Sequence, residues 1–253
     1  MPRVFRSLQD WKAERAVLDL TPLSIGFVPT MGALHAGHRS LLERARAEND
    51  RVVMSIFVNP TQFDSPADLV AYPRTLDDDL GLASGLVDHV LLPEPREIYP
   101  DGFHFRMTES DLSRQLEGAH RPGHFDGVLT VVLKLLNLVS PHRAYFGEKD
   151  RQQLELVRGM VRALFVPVEI IPCPTIRDQD GLALSSRNHR LSPGARARAA
   201  SFPRILSESA TPSAAAAALG EAGFGVDYVE DREGVRLAAI RLEGVRLIDN
   251  VRL

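Results

Sequence analysis

This 253-residue chain has a single cysteine, Cys173. An intramolecular disulfide is impossible, a Cys-rich zinc site is excluded, and a reducing compartment is the default expectation. Cys173 lies in Val168-Glu169-Ile170-Ile171-Pro172-Cys173-Pro174, where a packed strand residue is expected rather than a nucleophile. Blocks of lysine and arginine are missing too, and the formal net charge is -3. Nucleic-acid partners leave a basic footprint, so none is expected. The longest apolar stretch, 128–139, is interrupted by Thr130, Lys134 and Asn137, too short and too polar for a bilayer span. With no apolar signal core near its start, the chain is expected to be cytoplasmic and without a membrane partner. There is also no Gly-x-Ser-x-Gly elbow and no thiol dyad that would point to covalent catalysis.

What is present is ordinary in bulk and informative in order. Hydrophobic residues make up 44% and charged residues 25%, as in a globular protein of one large domain, or one large and one small. Buried strand patterns at 24–29, 52–58, 87–92, 144–146 and 168–172 alternate with helical patterns at 39–48, 125–138 and 151–164. That alternation predicts an α/β fold, a Rossmann-like parallel sheet with helices on both faces. After Pro174 the composition shifts. Ser192-Pro193 and Thr211-Pro212 read as helix starts, the second running into the alanine tract 214–218. Three alternating runs separated by Gly234 and Gly244 then predict a short antiparallel sheet. The expected division is a nucleotide-binding domain over 1–176 and a small α+β C-terminal domain over 177–253.

The most informative segment is Val28-Pro29-Thr30-Met31-Gly32-Ala33-Leu34-His35-Ala36-Gly37-His38. It reads as strand, Gly-containing turn and helix start, with two histidines where the helix begins. Unpaired N–H groups and the positive end of the helix dipole make that position suit a phosphate. Imidazole donors there can follow charge developing on phosphorus. A pair of helix-start histidines satisfied by backbone is the bland alternative. A metal pair is disfavoured, because the remaining histidines offer no matching local pair.

Other segments are individually modest. Phe57-Val58-Asn59-Pro60-Thr61-Gln62-Phe63 is a loop signal that offers Gln62 to a polar substrate. Thr75 followed by Asp77-Asp78-Asp79 is a helix start with acids in its first turn, explained by the dipole alone or by a cation near phosphates. Arg121 and His124, at a helix entrance, could meet an anion. In Phe146-Gly147-Glu148-Lys149-Asp150, Gly147 allows close backbone approach, Lys149 supplies a cation and Asp150 could accept from ribose hydroxyls. Leu184-Ser185-Ser186-Arg187-Asn188 has the make-up of a triphosphate grip, or of a plain hydroxyl turn.

Taken in order, these segments resemble the pantoate–β-alanine ligase family. The matches are 29–38, 57–63, 72–75, Arg121-Pro122-Gly123-His124-Phe125, 146–150 with Gln152-Gln153, 184–188, and the terminal Arg246-Leu247-Ile248-Asp249-Asn250. The His-x-Gly-His element is shared by a whole nucleotidyltransferase superfamily; its combination with Asn-Pro-Thr-Gln-Phe and Phe-Gly-Glu-Lys-Asp is far more specific. The resemblance implies ATP-dependent condensation of pantoate with β-alanine through a pantoyl adenylate, releasing pyrophosphate and AMP.

It also implies residue roles. His35 and His38 would contact phosphates, with His38 as proton donor; His38, His35, Lys149 and Arg187 form the implied catalytic set. ATP would contact Met31, Gly32, Ala33, Leu34, His35, Ala36, Gly37, His38, Gly147, Glu148, Lys149, Asp150, Ile176, Leu184, Ser185, Ser186 and Arg187. Gln62 and Gln153 would hold pantoate, with Gln62 also near β-alanine. Mg2+ is implied by the ATP chemistry, with Asp78 and Asp79 as candidate ligands. A homodimer with a C-terminal lid is implied as well. Two departures stand out: the stretch 201–225 is short and Ala-rich for such a lid, and Leu136 replaces a frequent aromatic. Another nucleotidyltransferase would share the first motif without needing Gln62 and Gln153, and a non-catalytic nucleotide-binding protein would be expected to carry damaged motifs.

Overall fold

The computed structural model describes all residues, 1–253. Six parallel strands form the main sheet: β1 (Arg3–Phe5), β2 (Ile25–Thr30), β3 (Arg51–Ile56), β4 (His89–Leu91), β5 (Arg143–Gly147) and β6 (Glu169–Cys173). Their spatial order is β1-β4-β3-β2-β5-β6. The chain lays down β2, β3 and β4 in one direction, then returns to place β5 and β6 on the other side of β2. The reversal lies between β2 and β5, and open parallel sheets bind ligands beyond the carboxyl ends of strands at such a point.

Strand side chains alternate between two cores, as a sheet covered on both faces requires. Ile25, Phe27, Val53, Leu91, Ala144, Phe146 and Ile170 enter one core with the helices Leu8–Leu18, His124–Val139 and Arg151–Ala163. Val28, Val52, Met54, Val90, Tyr145, Ile171 and Cys173 enter the other, against the helix Ala36–Glu48 and Ala83 of the helix Leu76–Ala83. Leu136 is buried in the first core. Cys173 is buried as well, with Sγ 4.0 Å from the Arg44 guanidinium.

The structure adds elements the sequence pattern did not predict, β1 and the helix Leu8–Leu18 among them. β1 is three residues long and the helix Leu8–Leu18 buries only Trp11 and Leu18, so neither leaves a periodic apolar signature. Both depend on partners far along the chain: β1 pairs with β4, and the Trp11 indole N–H donates to the Leu138 carbonyl.

The chain separates into two compact units. One comprises Met1–Gly147 with Gln152–Cys173; the other comprises Glu148–Arg151 with Pro174–Leu253. The second unit holds the antiparallel sheet β7 (Gly225–Arg232), β8 (Val235–Leu242) and β9 (Val245–Arg252). Both hairpins turn through residues with positive φ, Glu233-Gly234 and Glu243-Gly244, the geometry a two-residue turn demands. Helices Pro193–Ala199, Ser201–Glu208 and Pro212–Glu221 contribute Ala195, Ala199, Phe202, Leu206, Ala215 and Leu219 to the same core as the sheet. Ser192 and Thr211 cap two of these helices by accepting from Ala195 N–H and Ala214 N–H. No helix is long and apolar enough to cross a membrane.

Candidate active site

At the carboxyl end of β2 the chain turns through Gly32 (φ 79°) and Ala33 (φ 51°) into the helix Ala36–Glu48. Two side chains hold this turn. Thr30 Oγ1 donates to the Ser55 carbonyl at 2.6 Å and accepts from Gly32 N–H at 3.2 Å. The buried Asp79 carboxylate accepts from Ala33 N–H at 3.1 Å and Leu34 N–H at 2.7 Å, with Thr75 Oγ1 at 3.2 Å. A Cβ on Gly32 would come within 2.9 Å of Asp79 Oδ2 and 3.1 Å of Ile56, so the left-handed glycine also makes room for the carboxylate.

The structure gives Asp79 a task in the turn. Both of its oxygens are engaged with the turn, while Asp78 is exposed. No group of three or more His, Cys, Asp or Glu side chains is placed to hold a metal ion. Thr75 does not cap its helix with its side chain; its hydroxyl goes to Asp79 instead.

His35 is the N-cap of the helix Ala36–Glu48. Its Nδ1 accepts from Gly37 N–H at 3.1 Å, and His38 Nδ1 accepts from His35 N–H at 3.3 Å. This is a capping box built from imidazoles instead of hydroxyl and carboxylate. The bonds fix the tautomers: a neutral ring that accepts at Nδ1 carries its proton at Nε2. The rings lie side by side, centroids 4.2 Å apart. Each ring thus carries its proton on Nε2, beside a helix N-terminus where the dipole favours an anion.

Beyond β3, Gln62 is oriented by a relay of polar groups. Asn59, fully buried, receives at Oδ1 the Tyr99 hydroxyl (2.7 Å) and the Thr61 hydroxyl (2.9 Å). Its Nδ2 then donates to the Gly127 carbonyl (3.2 Å) and to Gln62 Oε1 (2.9 Å). Gln62 is left with its amide N–H groups turned the other way, 3.2 Å from Met31 Sδ. The loop sits close to the helix His124–Val139 because Gly127 has no side chain: a Cβ there would lie 2.4 Å from the Thr61 carbonyl oxygen. Burial raises the pKa of Tyr99 and keeps the phenol as the donor the relay needs.

Arg121 and His124 brace the same loop instead of facing outward to an anion. His124 Nδ1–H donates to the Gln62 carbonyl at 2.8 Å, and Arg121 donates to His124 Nε2 at 3.2 Å. Arg121 also reaches the Gln62 carbonyl and Asp64. Burial, reinforced by the Arg121 charge, pushes the His124 pKa down to about 4. A proton on Nε2 would point at a guanidinium N–H, so the geometry agrees with a neutral ring. On the helix Arg151–Ala163, Gln152 is buried and structural: it accepts from Glu117 N–H and donates to the Leu112 and Gln115 carbonyls. Gln153, half-buried, is not drawn into that network.

The second unit carries the remaining expected residues. Glu148–Asp150 form one short helical turn, with Lys149 Nζ 3.6 Å from the Asp150 carboxylate. Leu184 N–H donates to the Ile176 carbonyl at 3.0 Å, closing a hairpin that leads into Ser185. Ser185 Oγ accepts from Arg187 N–H at 3.3 Å and caps the turn Ser186–Arg190. Sequence reasoning missed Asp79's task, Asn59, Tyr99 and His124 as supports. A Gly at 127 opposite an Asn-Pro loop was the available signal, readable only once the helix and loop are paired.

Comparison with known proteins accounts for this assembly of parts. A sequence model described as pantoate-beta-alanine ligase matches residues 3–252. The chain is 51% identical to a pantothenate synthetase of Bdellovibrio bacteriovorus over 100% of both chains. It is 49% identical to one of Legionella pneumophila over 98% of each. The first match runs end to end, so the short Ala-rich stretch is no truncation relative to that protein. Among solved structures, a Francisella tularensis pantoate-beta-alanine ligase complexed with beta-gamma ATP and beta-alanine superposes with a TM-score of 0.95. That protein is 39% identical and covers 100% of this chain and 98% of its own. Thermus thermophilus pantothenate synthetase gives a TM-score of 0.88 at 43% identity, covering 99% of both chains. The chain belongs to the pantoate–β-alanine ligase family, enzymes that join pantoate to β-alanine to make pantothenate.

Proposed function

We propose that this chain makes pantothenate in two steps through a pantoyl adenylate. A pantoate carboxylate oxygen attacks the α-phosphorus of ATP, and the bond to pyrophosphate breaks. The β-alanine amine then attacks the acyl carbon, the acyl–phosphate C–O bond breaks, AMP leaves, and the amine proton passes to solvent. Neither step needs a protein nucleophile. Both need alignment and stabilisation of charge.

The observation that carries this reading is the imidazole capping box, which seats two histidines with Nδ1 accepting and the proton on Nε2 at a helix N-terminus. His38 and His35 stabilise charge on the phosphates as the α-phosphorus is attacked, with His38 the proton donor. The backbone from Met31 to Gly37 lines the nucleotide. Lys149, Ser185, Ser186 and Arg187 hold the triphosphate; Gly147, Glu148, Asp150, Ile176 and Leu184 contact the remainder of ATP. Gln62, its amide oxygen held by Asn59 and its Nε2 lying against Met31 Sδ, donates to pantoate together with Gln153. The ATP and β-alanine named with the Francisella tularensis ligase support the same substrates here. Mg2+ would accompany the nucleotide, where it would neutralise phosphate charge, and no step above is routed through it. The C-terminal unit acts as a lid, protecting the anhydride from water.

The test is pyrophosphate release from ATP with pantoate alone, followed by AMP release once β-alanine is added. A stoichiometric release that becomes steady turnover only with β-alanine is expected. Pyrophosphate release that requires β-alanine from the start would refute the separate adenylate.

A further inference from the structure

The terminal Asp249-Asn250 pair is absorbed by none of the roles above, yet it is among the most heavily bonded points of the second unit. Asn250 Nδ2 donates to two backbone carbonyls, those of Glu148 (2.9 Å) and Lys149 (3.0 Å). Both partners can only accept, so the side-chain orientation is fixed: the NH2 group faces the turn and both its hydrogens are used. Asn250 is itself seated from behind. The Asp249 carboxylate, buried to 3% exposure, takes a bidentate pair from Arg177 at 2.7 and 2.9 Å and also accepts from Asn250 N–H at 2.8 Å. The same Arg177 donates to the Asn250 carbonyl and to the Gly181 carbonyl, each at 3.0 Å. Arg177 lies on the small hairpin that pairs with Ala183, and Asn188 Nδ2 ties back to the Ala183 carbonyl at 3.0 Å. One end of the network therefore grips the backbone of Lys149. The other grips the hairpin that feeds Ser185, Ser186 and Arg187.

We propose that Asn250, seated by Asp249 and Arg177, is a positioning residue that sets the spacing between Lys149 and the Ser185–Arg187 loop and so builds the triphosphate grip. It touches no substrate; it acts through the backbone of Lys149. This rests on the reading that Lys149 and Arg187 hold the triphosphate. It explains why Glu148–Arg151, which follows β5 directly in sequence, belongs to the second unit: the segment is bonded to the last strand. The expected specificity follows. Losing the clamp should affect the β- and γ-phosphates, which these groups reach, and spare AMP.

The experiment is calorimetric titration of the full chain with ATP and with AMP, for wild type, Asn250→Ala, Asn250→Ser, Lys149→Ala and the double variant Lys149→Ala/Asn250→Ala. Losing two charge-neutral hydrogen bonds should weaken ATP binding on the order of 10-fold in Asn250→Ala, with AMP binding unchanged and the KM for pantoate unmoved. Asn250→Ser, which keeps one donor and is the milder change should the alanine variant fold poorly, should fall between. The double variant should bind ATP no more weakly than Lys149→Ala alone, because the clamp acts through that lysine. Equal losses of ATP and AMP, or no loss in either alanine or serine variant, would overturn the proposal and leave Asn250 as plain scaffolding. If Lys149→Ala itself keeps the wild-type ratio of ATP to AMP affinity, the triphosphate assignment fails first. If Lys149→Ala lowers that ratio and neither Asn250 variant does, the assignment stands and only the positioning role is refuted.

Discussion

Acid should destabilise the first unit before its carboxylates titrate, because of His124. In the folded chain the ring is neutral, buried, and pinned between the Gln62 carbonyl and the Arg121 guanidinium, with its pKa down at about 4. In the unfolded chain it titrates at about 6.5. Between those values the unfolded state binds a proton that the folded state refuses, so stability is complete above about 6.5 and drains away as pH falls toward 4. At about 1.4 kcal/mol per pH unit, the full window is worth roughly 3 kcal/mol, of which about 2 kcal/mol is lost by pH 5. Trp11 is the sole tryptophan, fully buried in the same unit, so its fluorescence during urea unfolding reads this unit alone. Wild type and His124→Gln would be compared at pH 7 and pH 5. His89, also held low by burial, titrates in both proteins and cancels in the difference. The carboxylates of Asp64, Asp101 and Glu109, held below their ordinary range, are common to both proteins as well. The glutamine variant should start less stable but lose about 2 kcal/mol less on acidification. Equal losses in the two proteins would mean that His124 is already protonated in the fold, and the bracing scheme around Gln62 would be wrong.

Three further outcomes are expected. Gly127→Ala drives a Cβ to 2.4 Å from the Thr61 carbonyl; it should cost about 1–3 kcal/mol and raise the KM for pantoate more than that for ATP in steady-state assays. Asp79→Asn keeps one acceptor for the two N–H groups of Ala33 and Leu34. It should lower unfolding free energy by about 1–3 kcal/mol, and an unchanged urea midpoint would refute the clamp. His38→Ala should slow single-turnover pyrophosphate release by about 100-fold or more if its Nε2–H stabilises the transferring phosphate; a near-normal rate would remove it from the chemistry.

The layout of the main sheet was readable because buried parallel strands are continuous apolar runs, and five of them leave that mark. β1 does not, since three residues carry no period and its partner β4 lies more than eighty positions away. The His35–His38 pair was readable by spacing, but its tautomers were not: they follow from which ring nitrogen meets which backbone N–H. Asp79 read as a dipole partner or cation ligand because its own helix explains an acid there. Only contact with a turn 45 and 46 residues earlier reveals its task. Asn59 and Tyr99 are likewise 40 residues apart. Side-chain bonds to distant atoms leave no local pattern, so these supporting contacts stayed hidden while the segments they hold could be singled out.

The stitch between Lys149 and the last strand also has a bearing on how the protein comes into being. Lys149 leaves the ribosome 101 residues ahead of the asparagine that braces it, so a nascent chain that has already completed its parallel sheet still lacks a framed lysine. On the proposal that Asn250 frames Lys149, nucleotide capture would wait for the emergence of β9. Polypeptides that stop short of Asp249 would contain every strand of the parallel sheet, the last of which ends at Cys173, while lacking the clamp on Lys149.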